Sequence, residues 1–98
     1  MRLVDIPIDT LSEIASYLNG HEVCRLWLTS HRALQNRLCF AVKVFRLEFE
    51  YLVPTPSWPN IVQHFQQLED MRLHLTYKWY GELPLKGVRL AQHCENLI

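Results

Sequence analysis

Glycine is scarce, with three in the whole chain, and none stand together, so there is no glycine-rich loop to cradle a phosphate or to form an oxyanion turn. Cys24, Cys39 and Cys94 are odd in number and form no C-x-x-C pair, which excludes a disulfide framework and predicts reduced thiols of the cytosol or nucleus, used as small packing residues. Charge of either sign in excess is absent: ten Lys and Arg balance ten Asp and Glu. Nothing draws such a chain to nucleic acid or an anionic membrane surface. No apolar run nears the roughly 18 residues of a bilayer-spanning helix. The opening Arg2-Leu3-Val4-Asp5 lacks the apolar stretch of a secretory signal. Of the five His, His64 and His93 beside Cys94 come nearest to a metal or nucleophile pattern, but no H-x-x-x-H or H-E-x-x-H spacing occurs. No metal, no cofactor and no catalysis by this chain are expected.

What is present is apolar and ordered. Hydrophobic residues make up 49% and aromatics 11% of 98 residues, enough for one ordinary domain, or a small module with a partial second. Leu11, Ile14, Ala15 and Leu18 fall on one helical stripe after Pro7, with Thr10-x-x-Glu13 as a possible capping box, and Asn19-Gly20 stops the helix. Val23, Leu26, Trp27 and Leu28 predict a second helix of about two turns. Ser30 is the expected N-cap of a third, marked by Ala33, Leu34, Arg37, Leu38 and Ala41.

The period then changes. Val42, Val44, Phe45, Leu47 and Phe49 alternate with charges and favour a strand over a continued helix. Pro54, Pro56 and Pro59 make a stiff connector, read as the domain boundary. Beyond it, Ile61, Val62, Phe65 and Leu68 predict a short helix entered at Asn60, and Met71, Leu73 and Leu75 a strand. His64-Phe65-Gln66-Gln67-Leu68 returns in form as His93-Cys94-Glu95-Asn96-Leu97, an offset inside the roughly 20–29 residue range of leucine-rich repeats. On that reading the second copy stops before its strand, as a fragment or truncated product would.

Ile6-Pro7, Leu11, Ile14 and Tyr17-Leu18, followed by Val23, Leu26, Leu28-Thr29-Ser30-His31-Arg32 and Leu34, resemble the F-box family in order and spacing over about the first forty residues. Ile6 stands where the family usually has Leu, and His21-Glu22-Val23 where Asp-Leu is common. Leu68-x-x-Met71-x-Leu73-x-Leu75 is similar to the strand segment of a leucine-rich repeat. The implied fold is mainly α: a three-helix F-box at 3–46, a Pro-rich connector at 47–60 and a partial α/β leucine-rich-repeat-like region at 61–98. The resemblance implies a partner, the Skp-type adaptor of a cullin-based ubiquitin ligase. It also implies an unknown substrate protein and a cytoplasmic or nuclear location. By the motif positions, the adaptor contacts are Ile6, Pro7, Ile8, Leu11, Ile14, Leu18, Val23, Leu26 and Leu34.

Elementary bookkeeping points the same way. Three short helices in roughly forty residues bury too little to stand without a staple or a partner, so some apolar surface should meet another protein. The competing reading is a small helical DNA-binding or homodimerising domain, suggested by Arg25, Arg32 and Arg37 along the second and third helices and opposed by the zero net charge.

Overall fold

A computed structural model of the chain describes residues 5–50, 55, 57–83 and 85–94. In chain order these form α1 (Ile8–Ser16), α2 (Gly20–Thr29), α3 (Arg32–Ala41), β1 (Val44–Leu47), α4 (Trp58–Val62), β2 (Asp70–Leu75) and β3 (Arg89–Cys94). The class is therefore mixed α/β, which corrects the mainly α expectation. No helix among the described residues is long and apolar enough to cross a membrane.

Pro7 takes the N-cap position of α1 with extended backbone, and its carbonyl accepts from Leu11 N–H at 3.0 Å. The Thr10–Glu13 capping box does not form, because Thr10 already lies inside the helix. The box is one helix later. Asn19 Oδ1 accepts from Glu22 N–H at 2.9 Å and Glu22 Oε1 accepts from Asn19 N–H at 3.2 Å, which satisfies two otherwise orphaned donors of α2. The Asn19-Gly20 pair thus starts α2 and does not stop α1, which already ends at Ser16 with Tyr17 as its C-cap. Ser30 is not the cap of α3 either; His31 occupies that position, and the Ser30 hydroxyl donates back to the Leu26 carbonyl.

Helix α1 packs on α3, and α2 lies between β1 and α4. The approach of α2 to β1 is unusually close. A Cβ added to Gly20 would sit 2.9 Å from Leu47 Cα and 3.0 Å from Arg46 O, so only glycine fits there.

The three strands are all parallel and lie side by side in chain order. Val44 pairs with Asp70 and Asp70 with Arg89; Phe45, Met71 and Leu90 form the next rung. Such an ordered parallel arrangement of strands is what a stack of repeats requires, and three strands are what the described residues show of it. It revises the expected repeat. His64 lies in the turns after α4, whereas His93 is inside β3, so the two similar pentapeptides are not equivalent positions. The last strand, Arg89–Cys94, includes His93 and Cys94 of the second pentapeptide. Residues 95–97, on which the expected match depended, lie outside those described.

The short helix begins earlier than expected, at Trp58, because Pro59 falls in its first turn, where a missing N–H costs nothing. Ile61, Val62, Phe65 and Leu68 are all buried, but α4 ends at Val62, so Phe65 and Leu68 reach the core from the turns after it and not from the expected helix. Pro54 and Pro56 lie outside the described residues. The expected boundary at 47–60 does not separate two cores: one cluster runs from Ile6 and Leu11 through Val42 and Phe45 to Met71 and Leu75. Its centre is aromatic. Phe45 lies 6.1 Å from Trp58 and 6.4 Å from Phe65, and Trp58 lies 5.2 Å from Trp79. Burying each such side chain contributes about 1.5–3 kcal/mol.

Candidate functional site

The residues expected to meet an adaptor divide into two sets. Ile6, Leu11, Val23 and Leu34 are buried beneath the helices, and Leu18 and Leu26 pack half-buried against them. Pro7, Ile8 and Ile14 face outward, with Ile8 41% and Ile14 38% exposed. Tyr17 and Leu28 are more exposed still. Ile14 was expected inside the α1 stripe. Instead Leu11 and Ala15 alone fill the contact with the rest of the core, and Ile14, a turn on from Leu11 but rotated toward solvent, flanks it.

The arginines are not a uniform reading face. Arg25 and Arg32 are exposed, but Arg37 turns inward and donates to the Ile6 carbonyl, holding the chain entry against α3. Arg46 donates to Ser16 O at 2.7 Å, meeting an orphan carbonyl at the end of α1. A charged donor on a helix C-terminal carbonyl is also favoured by the helix dipole.

On the outward face of the sheet, side chains alternate away from the core. Asp70 is shared by Arg72 at 3.6 Å and Arg89 at 3.8 Å. Phe49, His74 and His93 form an aromatic row, with ring centroids 5.1 Å and 4.6 Å apart. Phe49 has φ 58°, a left-handed backbone that a bulky residue adopts only against strain. Between these groups is a groove of about 300 Å³, lined by Glu48, Arg72, His74, Ala91 and His93. Ala91 makes the depression, since its neighbours in register carry long side chains.

The Tyr77–Tyr80 segment is partly buried and partly exposed. Trp79 is half-buried against Trp58, while Tyr77 and Tyr80 are exposed and Lys78 Nζ lies 5.6 Å from the Tyr80 ring centroid. Gln92 fixes this loop with one amide group: its Oε1 accepts from Trp79 N–H at 3.0 Å and its Nε2 donates to Trp79 O at 3.1 Å.

Sequence reasoning gave no role to His21. Its Nε2 lies 3.1 Å from the Glu48 carbonyl and its Nδ1 2.5 Å from Thr55 Oγ1, so one ring joins α2 to the end of β1 and to the segment before α4. Partners 27 and 34 positions away leave no local signal.

Among the described residues no three His, Cys, Asp or Glu converge as a metal site. Cys24 is buried and its thiol is pushed up to about 12 by desolvation; burial raises Cys39 as well, against a backbone hydrogen bond that lowers it. Thiols so placed are protonated and poor nucleophiles at neutral pH. Cys94, expected to pack, is exposed.

Comparison of the chain with family models, with curated proteins and with solved structures finds no match.

Proposed function

We propose that the chain is an F-box module that binds a Skp-type adaptor and serves as substrate receptor of a cullin-based ubiquitin ligase. The observation that carries this reading is the uncovered apolar surface on the helical end. Pro7, Ile8, Ile14 and Leu28 stay exposed although a closed core lies directly beneath them. Exposed apolar side chains on the helices suit a protein partner. The F-box-like order of the motif names that partner, and the ordered parallel strands that follow suit a repeat receptor.

The role is tethering, with no bond chemistry assigned to this chain. Holding a substrate protein near the transferring subunit raises its effective concentration and restricts its orientation, so the reaction elsewhere in the assembly proceeds faster. The outward sheet face, with its strained Phe49 and its groove over Ala91, is the surface proposed to receive the substrate.

Co-expression with a Skp-type adaptor tests the reading. A one-to-one complex is expected on gel filtration. Ile8→Glu with Ile14→Glu should abolish it while leaving the thermal unfolding of the free chain nearly unchanged, because both side chains are already exposed. No complex with the unaltered chain, or a complex indifferent to the double substitution, overturns the proposal.

A further inference from the structure

We propose that Thr55 is a phosphorylation site for a proline-directed serine/threonine kinase, and that the phosphate converts His21 into a charged link between the helices and the sheet. Thr55-Pro56 is the single Ser-Pro or Thr-Pro dipeptide of the chain. Proline biases the residue before it toward extended backbone, the shape in which a kinase cleft accepts its substrate. Thr55 is half-exposed and lies outside any helix or strand.

The geometry sets the consequence. The Glu48 carbonyl can only accept, so His21 Nε2 carries a proton, whereas a threonine hydroxyl can either give or take a proton at Nδ1. A phosphate dianion has no such freedom. In the transfer, the γ-phosphoryl group of ATP forms a P–O bond to Thr55 Oγ1 as its bond to the β-phosphate oxygen breaks. ADP leaves with the electron pair, and the hydroxyl proton passes through the kinase base to solvent. The product carries about −1.5 to −2 charge at pH 7 and offers only acceptors. To keep both contacts, His21 must then hold protons on Nδ1 and Nε2 together.

The charges on the elements that meet at this joint are of both signs. Glu22 is next to His21, its carboxylate held by Asn19 N–H, and Glu48 follows β1; Arg25 lies one turn along α2, and Arg46 on β1 donates to the Ser16 carbonyl. The His21 ring, with Nδ1 2.5 Å from Thr55 Oγ1, is the group placed to meet the phosphate as its counter-charge. Modification turns the His21–Thr55 contact from a neutral hydroxyl hydrogen bond into a charge-assisted pair, which is shorter and stronger.

The experiment uses the full chain, a kinase of the cyclin-dependent class and ATP, with tandem mass spectrometry and imidazole ¹⁵N spectra near neutral pH. Phosphate is expected on Thr55, retained in Thr55→Ser and lost in Thr55→Val and Pro56→Ala. On modification, the His21 Nδ1 resonance should move to the position of a protonated nitrogen while the other four His stay put. Phosphate absent from Thr55, or present with the His21 resonance unmoved, overturns the proposal. No adaptor enters this test, so its failure leaves the adaptor reading intact and the converse also holds.

Discussion

Strands β2 and β3 share a register and a direction, yet one is closed and the other open. Met71, Leu73 and Leu75 point into the core and are buried. Their partners one strand on, Leu90, Gln92 and Cys94, point the same way, but Leu90 is 39% exposed and Cys94 is exposed as well. The difference lies behind the sheet. Met71, Leu73 and Leu75 share one buried cluster with Ile61, Val62, Phe65 and Leu68, whereas among the described residues of the loop before β3, Trp79, Leu83 and Val88 are only partly buried against it. Alternation makes a strand, but only a backing layer turns alternation into stability.

The largest effect is expected at the backing layer itself. Trp58→Ala removes a fully buried indole that touches both Phe45 and Trp79, and should cost about 3–5 kcal/mol in urea unfolding. Truncating the paired rungs then measures the contrast directly. Leu73→Ala should cost about 2–5 kcal/mol. Leu90→Ala, losing only a partly buried side chain, should cost about 1 kcal/mol or less. Equal costs would show that β3 is as well backed as β2.

Gly20→Ala probes the opposite edge of the sheet. Its methyl meets backbone rather than a flexible side chain, so relief requires α2 to move from β1, at about 1–3 kcal/mol by thermal denaturation. Gln92→Ala should cost about 1 kcal/mol and, more tellingly, should deprotect the Trp79 amide in hydrogen exchange. Smallest in energy is thiol reactivity. With an aromatic disulfide reagent at mildly alkaline pH, exposed Cys94 should react first and Cys39 next. Cys24, whose thiol is raised to about 12, should react only as the chain unfolds. Fast reaction of Cys24 would mean that the closed side opens readily.

These contrasts also show what could be read in advance. The apolar spacing at Leu34, Leu38 and Ala41 and the alternation at Met71, Leu73 and Leu75 are local patterns, and the structure buries each of those residues. Strand β3 had no such pattern, because Leu90-Ala91-Gln92-His93-Cys94 alternates nothing; its conformation follows from pairing with β2. The likeness of the His64 and His93 pentapeptides was one of letters, while the strands pair through partners that only the fold brings together. Of the expected contact residues, Ile8 and Ile14 are exposed and Leu11 and Val23 are buried. Spacing placed all of them on the helices but could not say which side of each helix would be covered. The His21 joint and the inward Arg37 depend on distant backbone carbonyls and were unreadable for that reason.

The tight seat of Gly20 on Leu47 gives the molecule a polarity. With α2 wedged against one margin of the sheet, no newcomer can dock there by main-chain hydrogen bonding, so any lengthening of the ribbon is forced to the far margin, alongside Arg89–Cys94. The helices act as a doorstop: they fix where the stack begins and leave its growth a single direction.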